Sequence, residues 1–187
     1  MLTRHNLRTV PSYFDRLWRT VLIVNSTLLL TACLGRADPD RMAVTQIPPI
    51  PKMQSTICIR SITGGEDNAV EYGRVETADF KDALRLTLRN AQMLASENEC
   101  RYLLDANILG LSRPAIIGSN PEVISSINYK LYDKGGSPIL LETVTSSYTS
   151  NMSDSLAGVT RLERASEGSI RANVTEFLQR LSKSGQI

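Results

Sequence analysis

Residues 122–150, EVISSINYKLYDKGGSPILLETVTSSYTS, narrow the fold more than any other stretch of the chain. Val123, Ile127, Tyr129 and Leu131 recur at even spacing, so in a strand they share one face. Asn128, Lys130 and Tyr132 take the opposite face. The KGGS between the two runs suits a tight turn, and the second arm, 138–150, grows more polar toward its end. Such a hairpin is not stable alone. It needs further strands and an apolar layer against its buried face.

The preceding chain supplies both. STICIRSIT (55–63) is rich in β-branched residues and stops at Gly64-Gly65, so it reads as a strand. CRYLLDANILGLS (100–112) reads as a second, with Tyr102, Leu104, Ala106 and Ile108 on one face. Between them Thr77 is placed to cap a helix, with Asp79 in its first turn. Phe80, Ala83, Leu84, Thr87, Leu88, Ala91, Leu94 and Ala95 follow at helical spacing and form a core stripe. Glu66 and Asp67, in the loop before it, read as a solvated turn.

A last helix is expected from Ser153 or Asp154 to Ser182. Its buried stripe is Val159, Leu162, Ile170, Val174, Phe177, Leu178 and Leu181. Gly158 and Gly168 weaken that helix unless a neighbour comes close to its backbone. Arg161, Arg164 and Arg171 fall on roughly one side of it. Interleaved with Glu163 and Glu167, they read first as a solvated, salt-bridged face and second as a partner surface. The order is β-α-β-β-β-α. Two amphipathic helices on one sheet face make a two-layer α+β sandwich with a four-stranded, largely antiparallel sheet.

The first thirty-two residues behave differently. Arg4, Arg8, Arg16 and Arg19 precede an apolar run, Val21 to Ala32, which Asn25, Ser26 and Thr27 interrupt. A spanning helix needs about 20 mostly apolar residues. The run is too short and too polar for that and fits an export signal. Leu30-Thr31-Ala32-Cys33 ends it: an aliphatic residue, two small ones and a cysteine.

Removing 1–32 as a signal changes the chemistry available. The single His, His5, goes with it, as do four of the 21 basic residues and one of the 19 acids, Asp15. The remainder is near neutral, which gives no support for nucleic-acid binding. Without His, Ser-His-Asp and Cys-His catalysis and ordinary His-containing zinc sites drop out. No G-x-S-x-G, G-x-x-x-x-G-K-[ST] or G-x-G-x-x-G occurs, and no hexapeptide repeat is visible. No catalytic residue, metal ligand or cofactor is therefore expected. Cys58 and Cys100 remain, either as a disulfide or as two buried thiols. If Cys100 belongs to its strand, the two face opposite sides of the sheet, which leaves the pairing open. Residues 34–54, with Pro39, Pro48, Pro49 and Pro51, read as an extended tether. Residues 55–187 then form a single domain.

Leu30-Thr31-Ala32-Cys33 resembles the bacterial lipobox, and the chain beyond Cys33 resembles, in architecture, two lipoprotein families. One is the outer-membrane lipoprotein of lipopolysaccharide assembly (LptE-like); the other is the auxiliary lipoproteins of ABC transporters. FKDALRLTLRNAQML stands where their first helix is expected, and the 122–150 hairpin where theirs is. RLERASEGSIRANVTEFLQRL resembles the tail of a group of proteobacterial lipoproteins without an assigned activity. The resemblance implies lipidation at Cys33, membrane attachment through that lipid and, because Leu34 rather than Asp follows, the outer membrane of a Gram-negative bacterium. It implies a non-catalytic accessory role in an envelope complex. Asn128, Lys130 and Tyr132 are the candidate partner surface, with Arg161, Arg164 and Arg171 as a second. The alternative is a stand-alone periplasmic ligand-binding module or a His-independent enzyme.

Overall fold

The computed structural model describes residues 35–48, 50–69, 71–96 and 99–184. The signal and lipidation expectations, Cys33 included, fall outside these residues.

Four strands form one sheet in sequence order: β1 (Ile57–Thr63), β2 (Tyr102–Ser112), β3 (Glu122–Asp133) and β4 (Pro138–Thr149). β1 runs parallel to β2, and the other two pairs are antiparallel. A parallel pair needs a crossover, and α2 (Thr77–Asn90) provides it. After the sheet comes α3 (Gly158–Lys183). Register explains the core. Ile127 lies between Ile108 and Val144, Tyr129 opposite Ala106, and Leu131 opposite Leu104. All of these are buried, together with Ile57, Phe80, Leu84 and Leu88 from the β1–α2 unit and Val174, Phe177 and Leu178 from α3. Both helices thus cover the same sheet face, which gives the expected α+β sandwich.

The tether expectation is corrected. Residues 35–54 lie on the domain between the helices, and α1 (Pro39–Met42) contacts both α2 and α3. Pro39 and Pro51 each open a helical turn, where a missing N–H costs nothing. They start structure here rather than prevent it. Met42, Ala43, Val44 and Met53 are buried. Each of the two methionines contributes about 1.5–3 kcal/mol by that burial. Polar bonds hold the same segment. Arg36 forks onto Asp79 at 2.6 and 2.5 Å. The Asp38 N–H donates to the buried Glu167 carboxylate at 3.0 Å, and Val44 N–H donates to Thr87 Oγ1 at 2.9 Å.

Two helix starts also differ. α2 is capped not by Thr77 but onto it, from ten residues upstream: Asp67 accepts from the Thr77 N–H at 2.7 Å and from its hydroxyl at 2.8 Å. α3 begins at Gly158, so that glycine is not mid-helix. Gly168 is, and it permits close approach: a Cβ there would run into the Tyr148 ring from β4.

Candidate functional site

The outer face of the sheet, away from the helices, carries Asn128, Lys130 and Tyr132, and the structure brings them together as expected from strand parity. Lys130 stands opposite Asp105 on β2 and Tyr132 opposite Leu103. Asn128 is engaged: its amide donates to Thr143 Oγ1 at 3.0 Å. Sequence reasoning missed a fourth member. Arg60, at the bulge in β1, forks onto Asp105 with its Nε at 2.9 Å and lies 4.6 Å above the Tyr132 ring. The Asp105 hydrogen bond raises the Arg60 pKa further above its ordinary value. The bulge hides Arg60 from a parity count, since it shifts the register between Ile59 and Ser61. The result is an open, mixed-charge face with one stacked aromatic toward its hairpin end.

Arg161, Arg164 and Arg171 do not share one solvated surface: Arg161 is buried, Arg164 is half-buried in the ion pair with Glu167 that the spacing implied, and Arg171 is exposed. The Arg161 Nη1 donates to the carbonyls of Ser155 and Leu156 at 3.0 and 2.8 Å, closing the loop before α3. Arg164 pairs with Glu167 at 2.8 Å, beneath the Asp38 amide. Arg171 donates to the Arg41 carbonyl at 2.8 Å and lies over Tyr148. Side-chain type suggested solvent. The loop 150–157 closes over Arg161, and Asp38 binds the Glu167 partner of Arg164, while Arg171 stays exposed.

Arg113, Glu66 and Asp67 are also committed to structure. Arg113 forks onto Glu66 at 2.7 and 2.6 Å and donates to the Gly73 carbonyl at 2.8 Å. Burial pushes the Glu66 pKa up, but the hydrogen bonds from Arg113 and the Val75 N–H outweigh it and hold the carboxyl below its usual range. The Thr77 bonds likewise lower Asp67. Glu66 is therefore a half-buried loop anchor, whereas Asp67 holds Thr77 while remaining exposed, as a solvated turn implies. Glu163 moves the other way, raised by burial and then by Glu167. Among the described residues no group of three or more His, Cys, Asp or Glu side chains is arranged to hold a metal. One apolar cavity of about 190 Å³ lies between Val44–Ile50 and the Leu178 side of α3. Pockets for drug-sized ligands hold roughly 300–1,000 Å³, so this one is small.

Cys58 and Cys100 are joined by a disulfide with Cα atoms 5.5 Å apart. The parity objection dissolves because β2 begins at Tyr102, which leaves Cys100 two residues outside the strand and free to turn toward β1.

No family model matches the chain, and no curated protein matches it. Solved structures do. A DUF330 protein from Xanthomonas campestris superposes with a TM-score of 0.51 at 15% identity, over 77% of this chain and 95% of that one. The likeness shows a shared fold. A candidate lipoprotein from Caulobacter crescentus gives 0.49 at 16% identity over 72% of this chain and 93% of that one. A minor lipoprotein from Acinetobacter baumannii gives 0.43 at 12% identity, over 70% and 94% respectively.

Proposed function

We propose that the chain is a lipoprotein of a Gram-negative outer membrane, acylated at Cys33, that works without catalysis as an accessory subunit of an envelope complex. Lipid or lipopolysaccharide transport is the process its architecture fits. One observation carries the proposal. The lipobox ends at Cys33, and Gly35, two residues later, is already buried against Tyr72. Cleavage before Cys33 would therefore leave every described residue of the domain in place. The Cys58–Cys100 bond fits a compartment that oxidises thiols. Asp67, Glu66, Arg113 and Arg161 are bound up as caps and loop anchors.

The partner surface is the outer sheet face around Lys130 and Tyr132. An aromatic with a polar tip is a typical energetic anchor of an interface, and its truncation costs about 2 kcal/mol or more, roughly thirtyfold in affinity. Wild-type protein purified from cross-linked, solubilised outer membrane should bring down defined envelope proteins. Lys130→Glu with Tyr132→Ala should lose them while the melting temperature holds. Wild-type protein that purifies alone and turns over a substrate would replace this proposal with the enzyme.

A further inference from the structure

Among the described residues, most of the exposed large apolar side chains gather at one end of the domain, with Leu141 on β4, 58% exposed, the exception toward the other end. Leu156 is 89% exposed, Ile116 83%, Met152 59% and Tyr72 50%. They come from the β1–α2, β2–β3 and β4–α3 loops. Strand directions bring these loops together: β1, β2 and β4 finish at this end and β3 starts there. Local contacts tie the loops to one another. Ile117 abuts Gly158, the first residue of α3, and Gly73, beside Tyr72, lies against Leu162 and Glu163 of that helix. The opposite end is the polar turn Lys134–Ser137. Scattered exposed apolar residues are normal on any protein. Their concentration on loop tips at one end is what marks a contact surface.

The same end is where the chain leaves toward Cys33. The Gly73 N–H donates to the Gly35 carbonyl at 2.9 Å. Only Leu34 separates Gly35 from Cys33, and two residues reach at most about 7 Å however they are arranged. An acyl group on Cys33 would therefore start beside these loops, not at the end of a tether.

We propose that the loop tips carrying Tyr72, Ile116, Met152 and Leu156 are a membrane-contact surface that enters the headgroup–acyl boundary of the leaflet holding the Cys33 lipid. This rests on the acylation of Cys33 proposed above. Cations at this end are already committed, Arg113 to Glu66 and Arg161 to loop carbonyls, so the contact is apolar rather than charge-driven. It would hold the domain upright, with the Lys134–Ser137 turn pointing away from the membrane and the outer sheet face open sideways.

Trp18 is the only tryptophan and leaves with the signal, so an introduced tryptophan reports alone in the processed protein. The test uses acylated Leu156→Trp and Leu141→Trp proteins in phosphatidylcholine vesicles, with brominated acyl chains as quencher and the N-terminus of each checked by mass. Leu141 is also exposed but lies toward the far end on β4. Leu156→Trp should emit to the blue of Leu141→Trp and be quenched, and Leu141→Trp should stay water-like and unquenched. If acylated protein shows both sites water-like, the inference fails and the lipid anchor stands. Blue-shifted emission without lipid quenching would assign the patch to a protein partner and also overturn it. An unacylated N-terminus with no vesicle binding would remove the anchor and the contact together.

Discussion

Reduction of the Cys58–Cys100 bond is expected to cost about 4 kcal/mol and lower the melting temperature by roughly 10 °C. The two cysteines are 42 positions apart, and the bond closes the whole β1–α2–β2 crossover. A parallel pair is the slow, entropically expensive part of this sheet, because its strands meet only after a long connection has been ordered. The disulfide removes much of that cost from the unfolded chain. Thermal unfolding with and without reductant, alongside a Cys58→Ala, Cys100→Ala protein, measures it. Equal melting temperatures would show that the bond constrains nothing that folding must pay for.

Asn173→Leu should destabilise by about 3 kcal/mol, although the two side chains are similar in size. Asn173 sits buried in α3 and saturates three groups on the sheet. Its amide donates to the carbonyls of Ser125 and Val144 at 3.1 and 2.8 Å, and its oxygen accepts from the Tyr129 hydroxyl at 3.0 Å. Tyr129 stacks on Phe177, with ring centroids 4.1 Å apart, and burial raises its pKa well above the ordinary value. That hydroxyl stays protonated and must donate. With leucine at 173 it loses its acceptor in a site closed to water. Adding Tyr129→Phe removes the orphaned donor, so the double variant should recover about 1 kcal/mol relative to the sum of the singles. Denaturant unfolding of the four proteins gives the coupling. Strict additivity would mean that the three bonds do not act as one unit.

Much of the sandwich was legible because its signals are periodic. Val123, Ile127, Tyr129 and Leu131 are buried as their alternation implied, and so are Phe80, Ala83, Leu84, Thr87, Leu88 and Ala91 at helical spacing. What failed was non-periodic. The prolines of 39–51 suggested extended chain, yet Met42, Val44 and Met53 in the same stretch had apolar area to bury, and helical first turns accept proline. Asp154 looked like a helix cap, but its carboxylate accepts from the Asn151 N–H at 2.8 Å while Asn151 accepts from Ser153, a local turn that delays α3 to Gly158. The site followed the same division. Parity put Asn128, Lys130 and Tyr132 on the open face, whereas Arg60 joined them through a bulge that alternation cannot show. Of the α3 arginines, Arg164 pairs with Glu167 as its spacing implied, whereas Arg161 turns back onto carbonyls of the loop before the helix and Arg171 meets the Arg41 carbonyl far away in sequence, contacts that periodicity does not show.

Everything proposed about the membrane depends on one atom, the Cys33 sulfur. The most direct measurement is the mass of the N-terminal peptide of protein recovered from a Gram-negative envelope. The account predicts a chain that begins at Cys33, carries a diacylglyceryl group on its thiol and an acyl group on its amine, and fractionates with the outer membrane. An unmodified N-terminus at any other residue, on protein found in the soluble periplasmic fraction, would contradict it.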